Sequence, residues 1–154
     1  MKSQGIRIFD RKNKFGRIEF TEILMEIKNG DLFYWSSLFL EVIGSLGEGI
    51  SVPLFANNIR ESTNGLIIDW KDLNALANKF EELINIKLLG SKNKNLLKRY
   101  DDDQEMYESC DIVIELIDSA FWEVFSNDQH YIKRLAEKFK QTEFLETNFQ
   151  DGFF

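Results

Sequence analysis

Cys110-Asp-Ile-Val-Ile-Glu-Leu-Ile-Asp-Ser-Ala-Phe-Trp-Glu-Val-Phe-Ser126 is the stretch that decides the fold. By the two-residue strand period, Ile112, Ile114 and Leu116 point to one side, and Asp111, Val113, Glu115 and Ile117 to the other. A turn at Asp118-Ser119 reverses the chain. The return arm sets Trp122 and Val124 on one face, with Phe121, Glu123 and Phe125 opposite. β-Branched and aromatic residues dominate both arms, as in strands. Apolar groups on both faces place the pair inside a sheet rather than at its rim. Ser126-Asn127-Asp128-Gln129 then has the form of a capping box, with the serine hydroxyl at the helix start and the glutamine reaching back. Ile132, Leu135, Ala136 and Phe139 follow at helical spacing, so a helix lies on the hairpin and both bury their apolar faces together.

Working outward, residues 5–9 and 17–24 read as a first hairpin around a turn at Lys12-Asn13-Lys14-Phe15-Gly16. Ile18 and Phe20 alternate there with Arg17, Glu19 and Thr21, which suits an edge pair with one wet face. Trp35, Leu38, Phe39, Val42, Ile43 and Leu46 recur at the spacing of a core-facing helix, ended by Gly44, Gly47 and Gly49. Pro53 and the polar run from Asn57 to Gly65 read as a connection, and Leu66-Ile67-Ile68 as a short strand. Asp69 is placed to cap a second helix whose apolar side carries Leu73, Leu76, Ala77, Phe80, Leu83 and Ile84. Ile84, Ile86 and Leu88 then alternate with Asn85 and Lys87, so a strand begins as that helix ends. Residues 92–99 read as a short basic helix. Asp101, Asp102, Asp103, Glu105, Glu108 and Asp111 form an acidic stretch without Lys or Arg, leading into the central hairpin. Beyond about residue 140 the chain reads as a polar, loosely packed tail, with no assignment for Phe153-Phe154.

The 154 residues are enough for one domain with a sizeable core. A hydrophobic share of 44% argues against disorder, and one Pro with nine Gly argues against a loop-rich chain. The single cysteine, Cys110, permits no internal disulfide and fits a reducing, cytoplasmic setting. The N-terminus lacks the apolar core of a signal peptide. The longest uncharged apolar run, Leu32 to Leu40, falls well short of the roughly 20 residues of a membrane span. A formal net charge of −7 opposes nucleic-acid binding and is compatible with a basic protein partner.

Familiar chemistries find little support. His130 is the only histidine, so any Ser-His-Asp or Cys-His system would need it, and nothing local pairs it with Cys110. A helical surface histidine and an inert buried thiol are the expected readings. Neither CxxC nor HExxH is present, and no metal or cofactor is expected. Gly44-Ser-Leu-Gly47-Glu-Gly49 has the wrong order for a phosphate loop, and Glu48 would repel phosphate. Asp101, Asp103 and Glu105 alternate as in a calcium loop, but Met106 and Ile112 stand where such a loop needs Gly and Glu. Glu115 and Glu123 could form a catalytic carboxylate pair, though such pairs are common on sheets. Trp35, Trp70 and Trp122 sit in periodic apolar patterns and read as core.

Two segments carry a resemblance: the quoted hairpin with its following helix, and Tyr34-Trp35 through Leu46-Gly47-Glu48-Gly49. Together they resemble small bacterial immunity proteins of polymorphic toxin and contact-dependent growth inhibition systems, in general layout over Leu32 to Phe139. The resemblance implies a cytoplasmic, non-enzymatic protein that binds a cognate toxin C-terminal domain, in many cases a nuclease, and occludes it. Contact residues differ between such proteins, so none transfers by motif.

The expectation is one α+β domain over residues 1–154, a mainly antiparallel sheet of about five or six strands with three main helices. Toxin neutralisation is the leading function, with no direct contact to nucleic acid or membrane. Asp101, Asp102, Asp103, Glu105 and Glu108 are the expected docking surface, on charge alone. The alternatives are a small carboxylate- or metal-dependent enzyme and a structural or adaptor subunit; turnover or metal-dependent stabilisation would mark the first, self-association the second.

Overall fold

The computed structural model describes residues 4–10 and 18–146. In chain order the elements are β1 (Gln4–Ile8), α1 (Phe20–Leu24), β2 (Tyr34–Ile43), α2 (Val52–Glu61), β3 (Leu66–Ile68), α3 (Trp70–Ala77), β4 (Glu82–Ser91), α4 (Asp103–Ser109), β5 (Ile112–Ile117), β6 (Phe121–Ser126), α5 (Gln129–Lys138) and β7 (Thr142–Glu146). Short 3-10 turns occupy Gly30–Leu32 and Lys94–Leu96. The seven strands form one antiparallel sheet in the order β3-β2-β4-β5-β6-β1-β7. The class is the expected α+β, with one or two strands more than the sequence showed. Among the described residues no helix is long and apolar enough to cross a membrane.

The central hairpin stands as read. Asp118 and Ser119 both take positive φ, and the Ala120 amide donates to Ile117 O at 2.8 Å. β5 lies between β4 and β6, and β6 between β5 and β1, so both strands are interior. Ile112, Ile114, Leu116, Trp122 and Val124 join the main core with Ile6, Ile8 and Leu88. Over that face pack Phe20, Ile23 and Leu24 of α1, Leu73 and Ala77 of α3, and Tyr131, Ile132 and Leu135 of α5. The cap of α5 differs from the expected box. Asp128 is the N-cap, its Oδ1 accepting from the His130 and Tyr131 amides at 3.0 and 3.4 Å. Ser126 cannot serve, because it sits opposite both Gln4 and Ile112 and is held extended in the sheet.

Trp35 to Leu46 is not a helix. Residues Tyr34–Ile43 form β2, with register shifts between Ser37 and Phe39 and between Glu41 and Val42. Trp35, Leu40 and Val42 join the main core, whereas Leu38 lies in a smaller cluster on the other side. The bulge after Ser37 inserts one residue, so the strand period breaks and the apolar spacing imitates a helix. Gly44, Gly47 and Gly49, all at positive φ, make the turn that leaves this strand rather than a helix end. The supposed connection after residue 50 contains α2, opened by Ser51 and Pro53.

The first arm also differs. β1 is flanked by β6 and β7, so it is not an edge, and Phe20–Leu24 is helical. The proposed turn at Lys12 to Gly16, Arg17 and Phe153-Phe154 lie outside the described residues. Part of the expected loose tail is β7, the edge strand beside β1. Residues Leu66–Ile68 form the expected strand, and Asp69 caps α3 by accepting from the Asp72 amide at 2.8 Å. Leu83 and Ile84 belong to β4 rather than to that helix. The basic helix over 92–99 shrinks to the single turn at Lys94–Leu96.

The described residues cover only about half of the second side of the sheet. Met106 and Tyr107 of α4, with Leu97 and Cys110, pack on Leu38, Leu89, Val113 and Phe125. The rest of that side carries the partly exposed Phe39, Lys87, Ile117, Phe121 and Arg7, and exposed Phe9.

Candidate functional site

Strand register sets a row of charged residues across the half-covered side. Lys87 of β4 lies opposite Glu115 of β5, Glu115 opposite Glu123 of β6, Glu123 opposite Arg7 of β1, and Arg7 opposite Glu143 of β7. Like charges directly opposite each other are unfavourable in a sheet. Here each of the two central carboxylates has a cation on its outer flank. Arg7 Nε donates to Glu123 Oε2 at 2.7 Å, and its Nη1 lies 3.4 Å from Glu143 Oε1. Lys87 Nζ lies 3.8 Å from Glu115 Oε2, and the Tyr107 hydroxyl donates to Glu115 Oε1 at 3.0 Å. Tyr107 stacks on Phe125 with ring centroids 3.8 Å apart, which fixes its hydroxyl over the row.

Beside this row, Phe39, Asn85, Lys87, Glu115 and Ile117, with Arg99, border an open groove of about 330 Å³. Phe9 and Phe121 extend the open surface beyond the hairpin turn, with ring centroids 5.8 Å apart. Arg7 lies over the Phe121 ring at 5.2 Å. The surface thus mixes aromatic rings with held charges, the composition that anchors protein interfaces. By contrast, the pocket near Phe20, Phe80 and Trp122 measures about 40 Å³, small beside the roughly 300–1,000 Å³ of small-molecule sites.

Burial is the main cause that raises the Glu115 carboxyl above its ordinary range, and the charges of Asp103 and Glu123 add to it. Lys87 and the Tyr107 hydroxyl oppose the shift. The carboxyl is therefore harder to ionise in the folded chain than in the unfolded one. Its contribution to stability is complete below the ordinary value of about 4.3 and is lost as pH rises through the higher folded value. Glu115→Gln, which still accepts from Tyr107, is expected to raise the urea midpoint at pH 7. That gain should shrink toward pH 4; a midpoint lower than native at pH 7 would show that Lys87 outweighs burial.

The carboxylates expected to dock a partner lie along α4 and its start. Asp101, Asp102, Asp103, Glu105 and Glu108 are all exposed. Asp102 is the N-cap, accepting from the Gln104 amide at 3.0 Å, and Glu108 accepts from Gln104 Nε2 at 2.6 Å. Asp103 is near enough to Glu115 and Tyr107 for its charge to act on both. The acidic helix thus borders the charged row. Cys110 is buried and its thiol is pushed up to about 11, chiefly by burial, as befits a packing residue. His130 is exposed in the first turn of α5. Among the described residues no group of three or more His, Cys, Asp or Glu is placed to hold a metal.

No family model, curated protein or solved structure matches this chain. The site therefore stands on its own geometry. Lys87, Arg7, Tyr107 and Glu143 were not singled out from the sequence. Glu115 and Glu123 were, and a hairpin register pairing them would have pointed to the row, because two facing carboxylates require cations nearby.

Proposed function

We propose that this protein is a non-enzymatic binding protein of the immunity type, which captures a cationic toxin domain and occludes it. The observation that carries this reading is the exposed acidic helix α4 at the border of a half-open, partly aromatic sheet face. The α4 carboxylates supply long-range attraction, and the rings of Phe9, Phe39 and Phe121 supply short-range contact. The row beneath is largely neutralised by its own partners, so the field toward a partner comes mainly from α4.

The test is to express the C-terminal region of the reading frame immediately upstream in the native genome, with and without this protein. Relief of toxicity together with co-purification is the expected result. A harmless neighbour, or toxicity neither relieved nor bound, would remove the reading. With a partner in hand, the fivefold variant D101N/D102N/D103N/E105Q/E108Q is expected to slow association about tenfold or more at low salt and to flatten its salt dependence. Asn at position 102 preserves the helix cap. Unchanged rates would take α4 out of the interface.

A second reading has one specific observation in its favour: Glu115, with its raised affinity for a proton, borders the open groove next to Lys87. A carboxyl in that condition could serve as a general acid. Turnover of any substrate that Glu115→Gln abolishes without loss of fold would establish it.

A further inference from the structure

β3 pairs only with Trp35, Ser36 and Ser37 of β2, so among the described residues the outer edge of β2 has no strand beside it from Leu38 to Ile43. α2 packs against β2 there. Arg99 fastens its end, donating to Leu38 O at 3.0 Å and to Ile59 O and Arg60 O at 2.9 and 3.0 Å. A groove of about 450 Å³ lies between strand and helix. Its strand wall is four consecutive residues, Phe39 to Val42. Consecutive strand residues point to opposite faces, so a groove that meets all four meets the strand edge-on, along its backbone. Its helix wall includes Pro53, Ala56, Asn57 and Arg60, which recur on one side of α2.

An open strand edge is a template for another extended backbone, and a helix alongside supplies side-chain contacts. Ser37 Oγ donates to Phe39 O at 3.0 Å, and Arg99 takes Leu38 O, so the accessible edge starts at Leu40. Charge narrows the occupant. Arg60 is exposed and donates to Asn57 Oδ1 at 2.6 Å, a neutral acceptor, and among the described residues it forms no ion pair. Glu41, the acidic residue of the strand wall, accepts from Asn85 Nδ2 at 2.7 Å. We propose that the β2–α2 groove binds an extended segment of another protein, which adds to the sheet beside Leu40 to Val42 and sets an acidic side chain against Arg60. This site shares Phe39 with the open sheet face but none of the α4 carboxylates, and it does not depend on the toxin reading.

The test is a displayed library of random ten-residue peptides selected on the full-length chain. Enriched sequences are expected to alternate apolar residues and to share one Asp or Glu. A synthetic peptide of that set should slow hydrogen exchange at those amides of Leu40 to Val42 that point away from β4, and methylating its alternate backbone nitrogens should abolish binding. Ala56→Arg, which fills the groove, and Arg60→Glu, at an exposed position, should each weaken binding about tenfold or more while melting as the native protein does. The fivefold α4 amide variant should bind the peptide normally. Failure to enrich any peptide, equal binding by both groove variants, or loss of binding in the α4 variant would overturn the proposal. So would sedimentation showing that two copies of this chain pair through the same edge.

Discussion

Trp35→Ala is expected to leave little folded protein at physiological temperature. The indole is fully buried, and its Nε1 donates to Gly30 O at 2.8 Å. It stacks on Trp70 with centroids 5.3 Å apart and meets Phe33 edge-on at 5.8 Å. Two glycines are required by these rings. A Cβ at Gly90 would lie 2.6 Å from the Trp35 ring, and one at Gly30 would lie 2.3 Å from the Trp70 ring. Truncating a buried aromatic costs about 3–5 kcal/mol, a large part of the roughly 5–15 kcal/mol that holds a domain. Trp35→Phe keeps much of the ring packing and loses the indole bond to Gly30 O, which still accepts from the Phe33 amide at 3.3 Å, so about 0.5–1.5 kcal/mol is expected for the lost bond. Gly90→Ala should cost about 1–3 kcal/mol by overpacking the same site. Urea unfolding of the three variants checks the order. An Ala variant as stable as the Phe variant would mean that the stack does not anchor β2, α3 and β4 to one another.

The same residue shows where local pattern fails as a guide. Trp35, Leu38, Phe39 and Val42 fall at helical intervals, yet they lie on a strand. The bulge after Ser37 moves the core-facing set from odd to even positions, and a period-two pattern with one insertion looks like a period of 3.6. The hairpin from Ile112 to Ser126 has no such insertion, and its turn is local, so its strands and faces were legible. Residues 142–146 looked like a tail because an edge strand with Glu143 and Phe144 exposed has little alternation of its own. Its place comes from pairing with β1, at the other end of the chain.

The candidate site was legible only in part, for the same physical reason. Asp101 to Glu108 announce themselves by composition, and Glu115 and Glu123 by their place on the hairpin. What makes them a site is register between strands far apart in sequence: Arg7 is 116 residues from Glu123, and no local window contains both. Tyr107 is hidden differently. It occupies the buried side of an acidic helix that the sequence marks only as a charged stretch, so its hydroxyl had no assigned direction.

Arg7→Met is expected to produce the second-largest loss of stability, and its reversal by a second change is the sharper result. The Glu123 side chain is 11% exposed and lies opposite Glu115 in the sheet. With Arg7 gone, two carboxylates face each other and only Glu115 keeps a cation, Lys87. Breaking a buried ion pair from one side costs about 3–5 kcal/mol. Arg7 is itself 31% exposed, so water offsets part of the loss, and about 2–3 kcal/mol is expected. The double variant Arg7→Met/Glu123→Met removes both charges and should recover most of it, because an apolar pair of similar volume can replace a buried ion pair. Recovery would show that the row is held by mutual neutralisation, not by any one of its members. That stable double variant also separates structure from binding. It keeps α4 and its carboxylates while removing the Arg7 guanidinium that lies over the Phe121 ring on the open face. If it still captures the partner at the native rate but releases it faster, α4 governs approach and the sheet face governs retention. If capture and release are both native, the row is scaffold alone, and the interface lies on α4 or at the β2 edge.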